Sequence, residues 1–356
     1  MKSKSIENIL VTGGCGFIGS NFIDFLLNKS KKKDSYKSII NFDKITYAGN
    51  PDNLTHLINE EKYKFVLGDI CDEKYFYEVI KSNDIDAIVH FAAESHVDNS
   101  IDSPDDFINT NIIGTCSVLK AAKKYQEEKE DLIFYHISTD EVYGSLQMKE
   151  DAFKEDNQYK PNSPYSASKA SSDHLVRAWH HTFKLPVITS NCSNNYGPFQ
   201  FPEKLIPLSI MNALKGKPIT IYGDGKNIRD WLYVNDHCDA IENILFKGAI
   251  GEMYNIGGNN EKTNLDIVCS ICHHLEELMP SEENINMKDG SKYIDLITFI
   301  KDRPGHDFRY SIDSSKLQKE LDWRPLETFE TGIKKTVAWY VLNLDWMKKI
   351  DDRKKS

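Results

Sequence analysis

Two carboxylates, Asp140 and Glu141, stand side by side in the stretch HISTDEVYG, directly after Thr139. Adjacent like charges repel each other, so a solvated turn, a metal site and a catalytic pair are the alternatives for them. Two close carboxyls that are partly buried take up different pKa values, which suits one to act as an acid and the other as a base. In an extended segment their side chains would also point in different directions and could reach different atoms of one substrate.

A metal at this pair would need further ligands at a suitable spacing. The nearby histidine, His136, lies inside a strand-like run, so we expect no metal site here. Cys269, Cys272 and His273 have the spacing of a c-type haem attachment. They lie in LDIVCSICHHLEEL, where apolar residues recur at helical spacing, and this pattern favours an amphipathic helix.

A tyrosine and a lysine follow at Tyr165 and Lys169, in the stretch YSASK. Residues four apart share one face of a helix. A nearby ammonium favours the tyrosinate, and the cationic ring of the nicotinamide cofactor that the glycine motif described next indicates would add to this effect. We therefore expect a lowered pKa for the phenol. Such a tyrosine could remove a proton from a sugar hydroxyl while a hydride leaves the same carbon.

The glycines of TGGCGFIG follow the first strand-like run and open the first helical pattern. Gly13 would permit the tight turn, Gly16 the approach of a pyrophosphate, and Gly19 the packing of helix on strand. The helix N-terminus would stabilise the phosphate charge. Asp43 ends the second strand-like run, where a carboxylate accepts hydrogen bonds from ribose hydroxyls and repels a 2′-phosphate. The pattern therefore favours NAD over NADP.

Two further strand ends could contact the cofactor. Asp69 ends the third strand-like run, followed by Ile70, and could meet the adenine edge, although a simple strand cap is an equal alternative. Ala92 and Ala93 end the fourth run, where small side chains leave room for a ligand.

Continuous apolar runs alternate with helical patterns over the first 190 or so residues. Such runs suit parallel strands covered on both faces, so we predict an α/β fold with a doubly wound parallel Rossmann sheet. After Asn194 the pattern changes, and NNYGP and FPEKL have loop composition. We predict an NAD-binding domain over residues 1–193, to which the chain returns around 230–256. Residues 194–350 would form mainly a smaller C-terminal α/β lobe that binds a nucleotide sugar.

Composition excludes several classes of protein. The net charge of −10 and pI near 5.6 argue against nucleic acid as a partner. No apolar run approaches the ~20 residues of a membrane span, and we see no signal peptide, so we expect a cytoplasmic protein without a membrane partner. Seven scattered cysteines suit free thiols in a reducing compartment. The lysine-rich residues 29–37 have the composition of a solvated insertion.

A family resemblance rests on seven motifs in chain order: TGGCGFIG, FAAESHVD, STDEVYG, YSASK, SNNYGP, RDWLYV and DRPGH. Together they resemble the extended short-chain dehydrogenase/reductase family, and within it the nucleotide-sugar 4,6-dehydratases. The resemblance covers nearly the whole chain, from about Ile9 to Tyr340. The glycine turn and the Tyr/Lys pair are common to the superfamily, whereas the triplet Thr-Asp-Glu marks the dehydratases.

The resemblance implies an NAD-dependent hydro-lyase that converts dTDP-glucose to dTDP-4-keto-6-deoxyglucose and water, toward deoxysugars such as rhamnose. The steps would be oxidation at C4, elimination across C5 and C6, and return of the hydride to C6. The same reaction on UDP-glucose is an alternative. A nucleotide-sugar 4-epimerase is a second, although it should not require the acid pair, and a catalytically silent NAD-binding regulatory protein is a third.

Matching positions also imply a role for each reacting residue. Tyr165 resembles the base that takes the C4 hydroxyl proton, with Lys169 as its electrostatic partner. Thr139 resembles the residue that hydrogen-bonds the C4 oxygen. Glu141 resembles the base that removes the C5 proton, and Asp140 the acid that protonates the departing C6 hydroxyl.

The resemblance marks two further sets of positions. Those matching cofactor contacts are Gly13, Gly16, Phe17, Ile18, Gly19, Asp43, Lys44, Thr46, Asp69, Ile70, Ala92, Ala93, Glu94, Thr110, Tyr165, Lys169 and Asn195. Those matching substrate contacts are Ser95, Thr139, Asn194, Lys204, Leu205, Tyr222, Arg229, Asn264, Arg303 and His306. The two arginines suit a diphosphate, because guanidinium forms bidentate, charge-assisted hydrogen bonds. The resemblance also implies a homodimer through NIIGTCSVLKAAKKY and SASKASSDHLVRAW.

Overall fold

A computed structural model describes residues 6–33, 36–302 and 306–353 of the chain. Its strands are β1 Asn8–Thr12, β2 Ser38–Asp43, β3 Tyr63–Leu67, β4 Ala87–His90, β5 Ile133–Thr139, β6 Val187–Cys192, β7 Asn194–Tyr196, β8 Ile219–Tyr222, β9 Ile228–Tyr233, β10 Met253–Ile256, β11 Glu261–Thr263, β12 Ile297–Ile300 and β13 Arg309–Tyr310. Its α-helices are α1 Phe17–Lys33, α2 Glu73–Ser82, α3 Val97–Asp102, α4 Pro104–Phe107, α5 Thr115–Gln126, α6 Pro164–Phe183, α7 Leu205–Leu214, α8 Val234–Lys247, α9 Asn264–Leu278, α10 Ser315–Leu321, α11 Phe329–Leu342 and α12 Leu344–Arg353.

Seven of these strands form one parallel sheet in the order β10-β6-β5-β4-β1-β2-β3. Apolar side chains of α1 and α8 cover one face, and those of α2, α5 and α6 cover the other. The predicted doubly wound parallel sheet is therefore confirmed. The strand order reverses between β1 and β4, so the connections that follow these two strands run to opposite faces of the sheet and leave a crevice for a ligand at their carboxyl ends.

The remaining strands lie in two small sheets. One contains β11, β9, β13 and β7, and the other pairs β12 with β8. Helices α7, α9 and α11 pack with β8 and β9 around an apolar core of their own. The predicted smaller α/β lobe takes this form, while β10 adds the segment 253–256 to the edge of the large sheet.

Some local predictions need correction. The segment Asn194–Tyr196 is a short strand paired with β9 and not a loop, because backbone pairing overrides its loop-like composition. Helix α1 continues to Lys33, so much of the lysine-rich stretch is helical and not an insertion. Lys29 forms an ion pair with Glu242, and Tyr36 is buried. Residues 34 and 35 of that stretch lie outside the described residues.

The cysteines and the helices bear on two further sequence predictions. All seven cysteines are free thiols. Cys269 and Cys272 lie on α9, the amphipathic helix that the spacing predicts. Among the described helices none is both long and apolar enough to cross a membrane.

Candidate active site

The glycine turn connects β1 to α1 and is shaped by close backbone contacts. Gly13 has a positive φ of 70°, and a Cβ there would lie 2.8 Å from the Cα of Ala92. A Cβ on Gly19 would lie 2.3 Å from the carbonyl oxygen of Gly13. A Cβ on Gly16 would meet only that same oxygen, at 3.2 Å. The turn therefore keeps Gly16 open toward the crevice, as a backbone that approaches a pyrophosphate requires.

Substitution of Gly13 by alanine should lower thermal stability and weaken NAD binding. An L-residue at a positive φ costs about 1–2 kcal/mol, and the contact with Ala92 adds to this cost. Gly290→Ala is a matched control, since Gly290 has a φ of 72° and open space around its Cβ position. Melting temperature and calorimetric NAD titration would measure both effects. Equal behaviour of the two variants would contradict the role of the close contact.

Asp43 lies at the carboxyl end of β2, and its carboxylate is buried beside the glycine turn. One oxygen accepts the backbone N–H of Cys15 at 2.9 Å, and the other accepts that of Ile45 at 2.7 Å. Burial raises the pKa of Asp43, although these hydrogen bonds oppose the shift. Each carboxylate oxygen has a second lone pair that a ribose hydroxyl could use.

Neighbouring strand ends complete the crevice with polar contacts. Lys44 pairs with Asp69 across the ends of β2 and β3 at 2.9 Å. The backbone N–H of Ala92 donates to the hydroxyl of Thr12 at 3.2 Å, which ties the ends of β4 and β1 together. The backbone N–H of Glu94 donates to the side chain of Asn111 at 2.8 Å.

A single cavity runs from this crevice to the acid pair. All seventeen predicted cofactor positions line it, and so do the predicted substrate positions Ser95, Thr139, Asn194 and Lys204. The side-chain oxygens of Asn194 and Gln200 are buried there without a hydrogen-bond partner among the described residues. An open backbone at Gly16 and unused polar groups fit a dinucleotide and a polar substrate.

The acid pair begins a one-turn 3-10 helix, Asp140–Tyr143, and does not lie in the extended segment that we predicted. The turn forms because the hydroxyl of Thr139, the last residue of β5, accepts the backbone N–H of Glu141 at 3.3 Å. Asp140 is 2% exposed, whereas Glu141 is half-buried. The two acids therefore still face different surroundings.

Asp140 has the environment of a protonated carboxyl. Burial, the charge of Glu141 and the charge of Asp230 raise its pKa well above the ordinary range, and Arg229 only partly opposes them. One oxygen, Oδ1, accepts a hydrogen bond from Thr139 at 3.3 Å. The other, Oδ2, is buried and has no partner within the part of the chain that the structure describes. Asp140 is thus suited to donate a proton.

Glu141 lies in the 3-10 turn, and its side chain contacts the first turn of α6. Its Oε2 accepts a hydrogen bond from the hydroxyl of Ser166 at 3.3 Å. Ser163 caps α6, because its hydroxyl accepts the backbone N–H of Ser166 at 3.0 Å. The helix cap thereby orients a serine toward the glutamate.

Tyr165 and Lys169 lie on α6 and line the cavity, as the spacing predicts. The ammonium of Lys169 donates to the carbonyl oxygen of Ile137 at 2.9 Å. The lowered pKa that we predicted for Tyr165 is wrong for the protein chain by itself. Burial and the charge of Glu141 raise that pKa well above its ordinary value, and a hydrogen bond with Thr139 only opposes the shift. A lowering would require the added charge of a cationic ring.

The other predicted substrate positions belong to the smaller lobe and do not line this cavity. They are Leu205 at the start of α7, Tyr222 at the end of β8, Arg229 on β9, Asn264 at the start of α9, and His306. The rings of Tyr222 and His306 lie 6.1 Å apart. Arg303 lies outside the described residues.

Arg229 is buried, and its guanidinium contacts the protein itself. It donates to the carbonyl oxygens of Ile228 at 2.7 Å and Asp307 at 2.9 Å, and it stacks on Tyr310 at 4.3 Å from the ring centroid. Its positive charge also acts to lower the pKa of Asp140. Its assignment to a diphosphate stays a prediction.

Sequence reasoning missed several residues that line the cavity. Cys192 ends β6, and Ile137 and Ser138 precede the acid pair on β5. Their position at the carboxyl ends of parallel strands could have indicated them. Gln200 and Phe201 lie in the loop after β7, where no regular pattern points to a ligand.

The fold and the site define a dinucleotide-dependent enzyme of the short-chain dehydrogenase/reductase type, with an added acid pair. The sequence model of the family described as "GDP-mannose 4,6 dehydratase" matches residues 10–336. The chain belongs to this family, and the resemblance inferred from the motifs is confirmed.

Individual relatives are similar along almost the full length. A dTDP-glucose 4,6-dehydratase from Neisseria gonorrhoeae is 52% identical over 348 residues, which cover 96% of this chain and 98% of the relative. The solved dTDP-glucose 4,6-dehydratase of Bacillus anthracis, in complex with NAD, is 46% identical with a TM-score of 0.83, covering 97% of this chain and 99% of that one. The Streptomyces venezuelae enzyme of the same name, also with NAD bound, is 40% identical with a TM-score of 0.87, covering 96% and 99%.

Proposed function

We propose that this chain is a NAD-dependent dTDP-glucose 4,6-dehydratase, which forms dTDP-4-keto-6-deoxyglucose and water. The observation that carries the proposal is the buried Asp140 beside the half-buried Glu141, in one cavity with Tyr165 and Lys169. Of these four residues, an oxidation at one sugar carbon needs only Tyr165 and Lys169. An elimination also needs an acid and a base of different protonation state, which this pair supplies.

Each reacting side chain takes one task in this proposal. Tyr165 removes the proton of the C4 hydroxyl, with Lys169 as its electrostatic partner, and Thr139 hydrogen-bonds the C4 oxygen. Glu141 removes the C5 proton, which the C4 ketone acidifies. Asp140 protonates the C6 hydroxyl as it leaves as water. The half-buried position of Glu141 and the raised pKa of Asp140 support this division.

Bound NAD would supply the acceptor for the C4 hydride and its return to C6 within each turnover. The chain's part is to hold and orient it. The turn at Gly13 and Gly16 would accept the pyrophosphate at the N-terminus of α1, and Asp43 the adenosine ribose. The ion pair between Lys44 and Asp69 would lie beside the adenine ring of the cofactor.

The nucleotide end of the substrate would extend toward the smaller lobe. We assign Ser95, Asn194 and Lys204 to the sugar side, since they line the cavity. The positions proposed for the nucleotide diphosphate are Leu205, Tyr222, Arg229, Asn264, Arg303 and His306. The names of the relatives described above support thymidine over uridine.

A comparison of nucleotide sugars tests the function. The purified protein is incubated with dTDP-, UDP- and GDP-glucose, and the product masses are followed over time. Loss of one water from dTDP-glucose, faster than from the other two, is the expected result. A mass-neutral change at C4 would support an epimerase, and no change with any sugar would contradict an enzyme of this class.

We further propose a cytoplasmic homodimer. The predicted interface consists of residues 111–125, which include most of α5, and residues 166–179 of α6. Ile113 is exposed in the first of these stretches, and a partner subunit would cover it. Light scattering of the purified protein measures the assembly state, and a monomer at micromolar concentration would contradict the proposal.

A further inference from the structure

A buried carboxylate on α6 contacts β5 one residue before Thr139 and the acid pair. Asp173, on α6, is 3% exposed. It accepts hydrogen bonds from the hydroxyl of Ser138 at 2.9 Å and from the phenol of Tyr159 at 3.0 Å. The Nε2 of His136 lies 3.1 Å from its other oxygen. A buried charge persists where several donors satisfy it in this way.

These contacts connect the two elements that carry the proposed chemistry. His136 and Ser138 belong to β5, which ends in Thr139 and the acid pair. Asp173 lies two helical turns beyond Tyr165 on α6, and one turn beyond Lys169. Hydrogen bonds are directional, whereas apolar packing alone tolerates small slips between a helix and a sheet. The carboxylate therefore fixes how α6 lies against β5.

Asp173 also supplies negative charge to Lys169. Burial lowers the pKa of Lys169, and the charge of Asp173 is the main influence in the opposite direction. The hydrogen bond of Lys169 to the carbonyl of Ile137 brings no net charge. Residues four apart on a helix share a face, which places the carboxylate on the side of the ammonium.

Four buried titratable groups near Lys169 or Asp173 are neutral near pH 7. Burial lowers the pKa of both His90 on β4 and His136 on β5. Burial raises the pKa of Cys192 on β6 to about 12, and it also raises that of Tyr159. None of these four groups therefore replaces the charge by which Asp173 raises the pKa of Lys169.

We infer that Asp173 is a positioning residue of the proposed reaction. It holds α6 in its position against β5. Its charge also keeps the amine of Lys169 protonated, so that Lys169 can favour the tyrosinate form of Tyr165. This inference rests on the proposed function, because it assigns Tyr165 the role of the first base.

The experiment compares the pH dependence of kcat/KM for dTDP-glucose in wild type and Asp173→Asn. Activity rises with pH as Tyr165 ionises. Without the carboxylate, Lys169 should lose part of its positive charge and favour the tyrosinate less. The acid limb, which is the low-pH part of the profile where activity rises with pH, should therefore move upward by about one pH unit. At a pH below that limb, this shift is a tenfold loss of activity. KM should change less than about threefold, since Asp173 does not line the cavity.

Two variants separate charge from hydrogen bonding. Tyr159→Phe removes one donor and keeps the carboxylate, so its acid limb should stay where wild type has it. Asp173→Glu keeps the charge and displaces it, so it should lower kcat with the limb unmoved. If Asp173→Asn does not fold, Asp173→Glu carries the test, and a limb displaced upward in this variant would overturn the inference. An unmoved limb in a folded Asp173→Asn would overturn it as well.

A measurement without turnover gives a second readout. The chain has 17 tyrosines, so the ultraviolet titration of tyrosinate is taken as a difference from the Tyr165→Phe variant. In the NAD complex the titration of Tyr165 should lie at higher pH in Asp173→Asn than in wild type, and equal titrations would contradict the charge role. A wild type that forms no product contradicts the proposed function, while an active wild type with these equal titrations contradicts only the inference.

Discussion

Substitution of Glu141 by glutamine should lower kcat by about 10²–10⁴-fold, the usual contribution of a positioned base. Glutamine has nearly the same shape and can still accept the hydrogen bond from Ser166, but it cannot take the C5 proton. Oxidation at C4 should continue, because Tyr165 and Lys169 are unchanged. The variant should therefore form the 4-keto sugar, up to one equivalent per enzyme, without loss of water.

Solvent exchange at C5 is the measurement that isolates this step. In deuterated water, wild type should place deuterium at C5, detected by mass spectrometry and NMR, and Glu141→Gln should not. Glu78→Gln is a matched control, since Glu78 is exposed on α2. Undiminished exchange in Glu141→Gln would remove Glu141 from the role of base.

The large parallel sheet and its cofactor end could be predicted from the sequence because local signals specify them. Continuous apolar runs predict buried parallel strands, and glycines at 13, 16 and 19 predict the turn between β1 and α1. The predicted cofactor positions at strand ends, such as Asp43 and Ala92, line one cavity because parallel strands end at the same edge of a sheet.

The smaller lobe and the surroundings of the acid pair were harder to predict because distant contacts determine them. The short strand β7 exists only because it pairs with β9. The 3-10 turn at Asp140 depends on a single threonine cap, which the apolar pattern does not reveal. The raised pKa of Asp140 comes from burial, from Glu141 and from Asp230, and the fold of the second lobe brings Asp230 near.

Contacts from other parts of the chain also explain why the pKa prediction for Tyr165 was wrong. A tyrosine four residues before a lysine predicts a lowered phenol pKa when the pair is considered alone. In the folded chain, burial and Glu141 outweigh this influence, and Lys169 is directed toward the carbonyl of Ile137. We therefore expect Tyr165 to ionise more readily when the cationic nicotinamide ring of bound NAD lies beside it.

Substitution of Asp140 by asparagine should slow the loss of water by about 10²–10³-fold and leave oxidation at C4 much less affected. The buried carboxyl is kept protonated by its surroundings, with one oxygen occupied by the hydroxyl of Thr139 and the other without a partner among the described residues. The second oxygen is therefore the one that can carry the proton for the C6 hydroxyl. Asparagine fills the same space but has no acidic proton to donate.

The pH dependence follows from the direction of the pKa shift. An acid must be protonated to act, so elimination is lost as pH rises through the pKa of Asp140. Since that pKa lies well above the ordinary aspartate range, wild type should keep full elimination activity far above the pH at which an exposed aspartate ionises. An ordinary aspartate pKa in this position would leave almost no acid at neutral pH.

Deuterium exchange and water loss, measured together, test this assignment. In Asp140→Asn the C5 position should still exchange with solvent, because Glu141 and the C4 ketone remain. The dehydrated product, the 4-keto-6-deoxy sugar, should accumulate slowly. Asp289→Asn, in an exposed loop, is the matched control. Equal slowing of exchange and water loss would mean that Asp140 acts before the elimination, because only a step common to both could slow them alike.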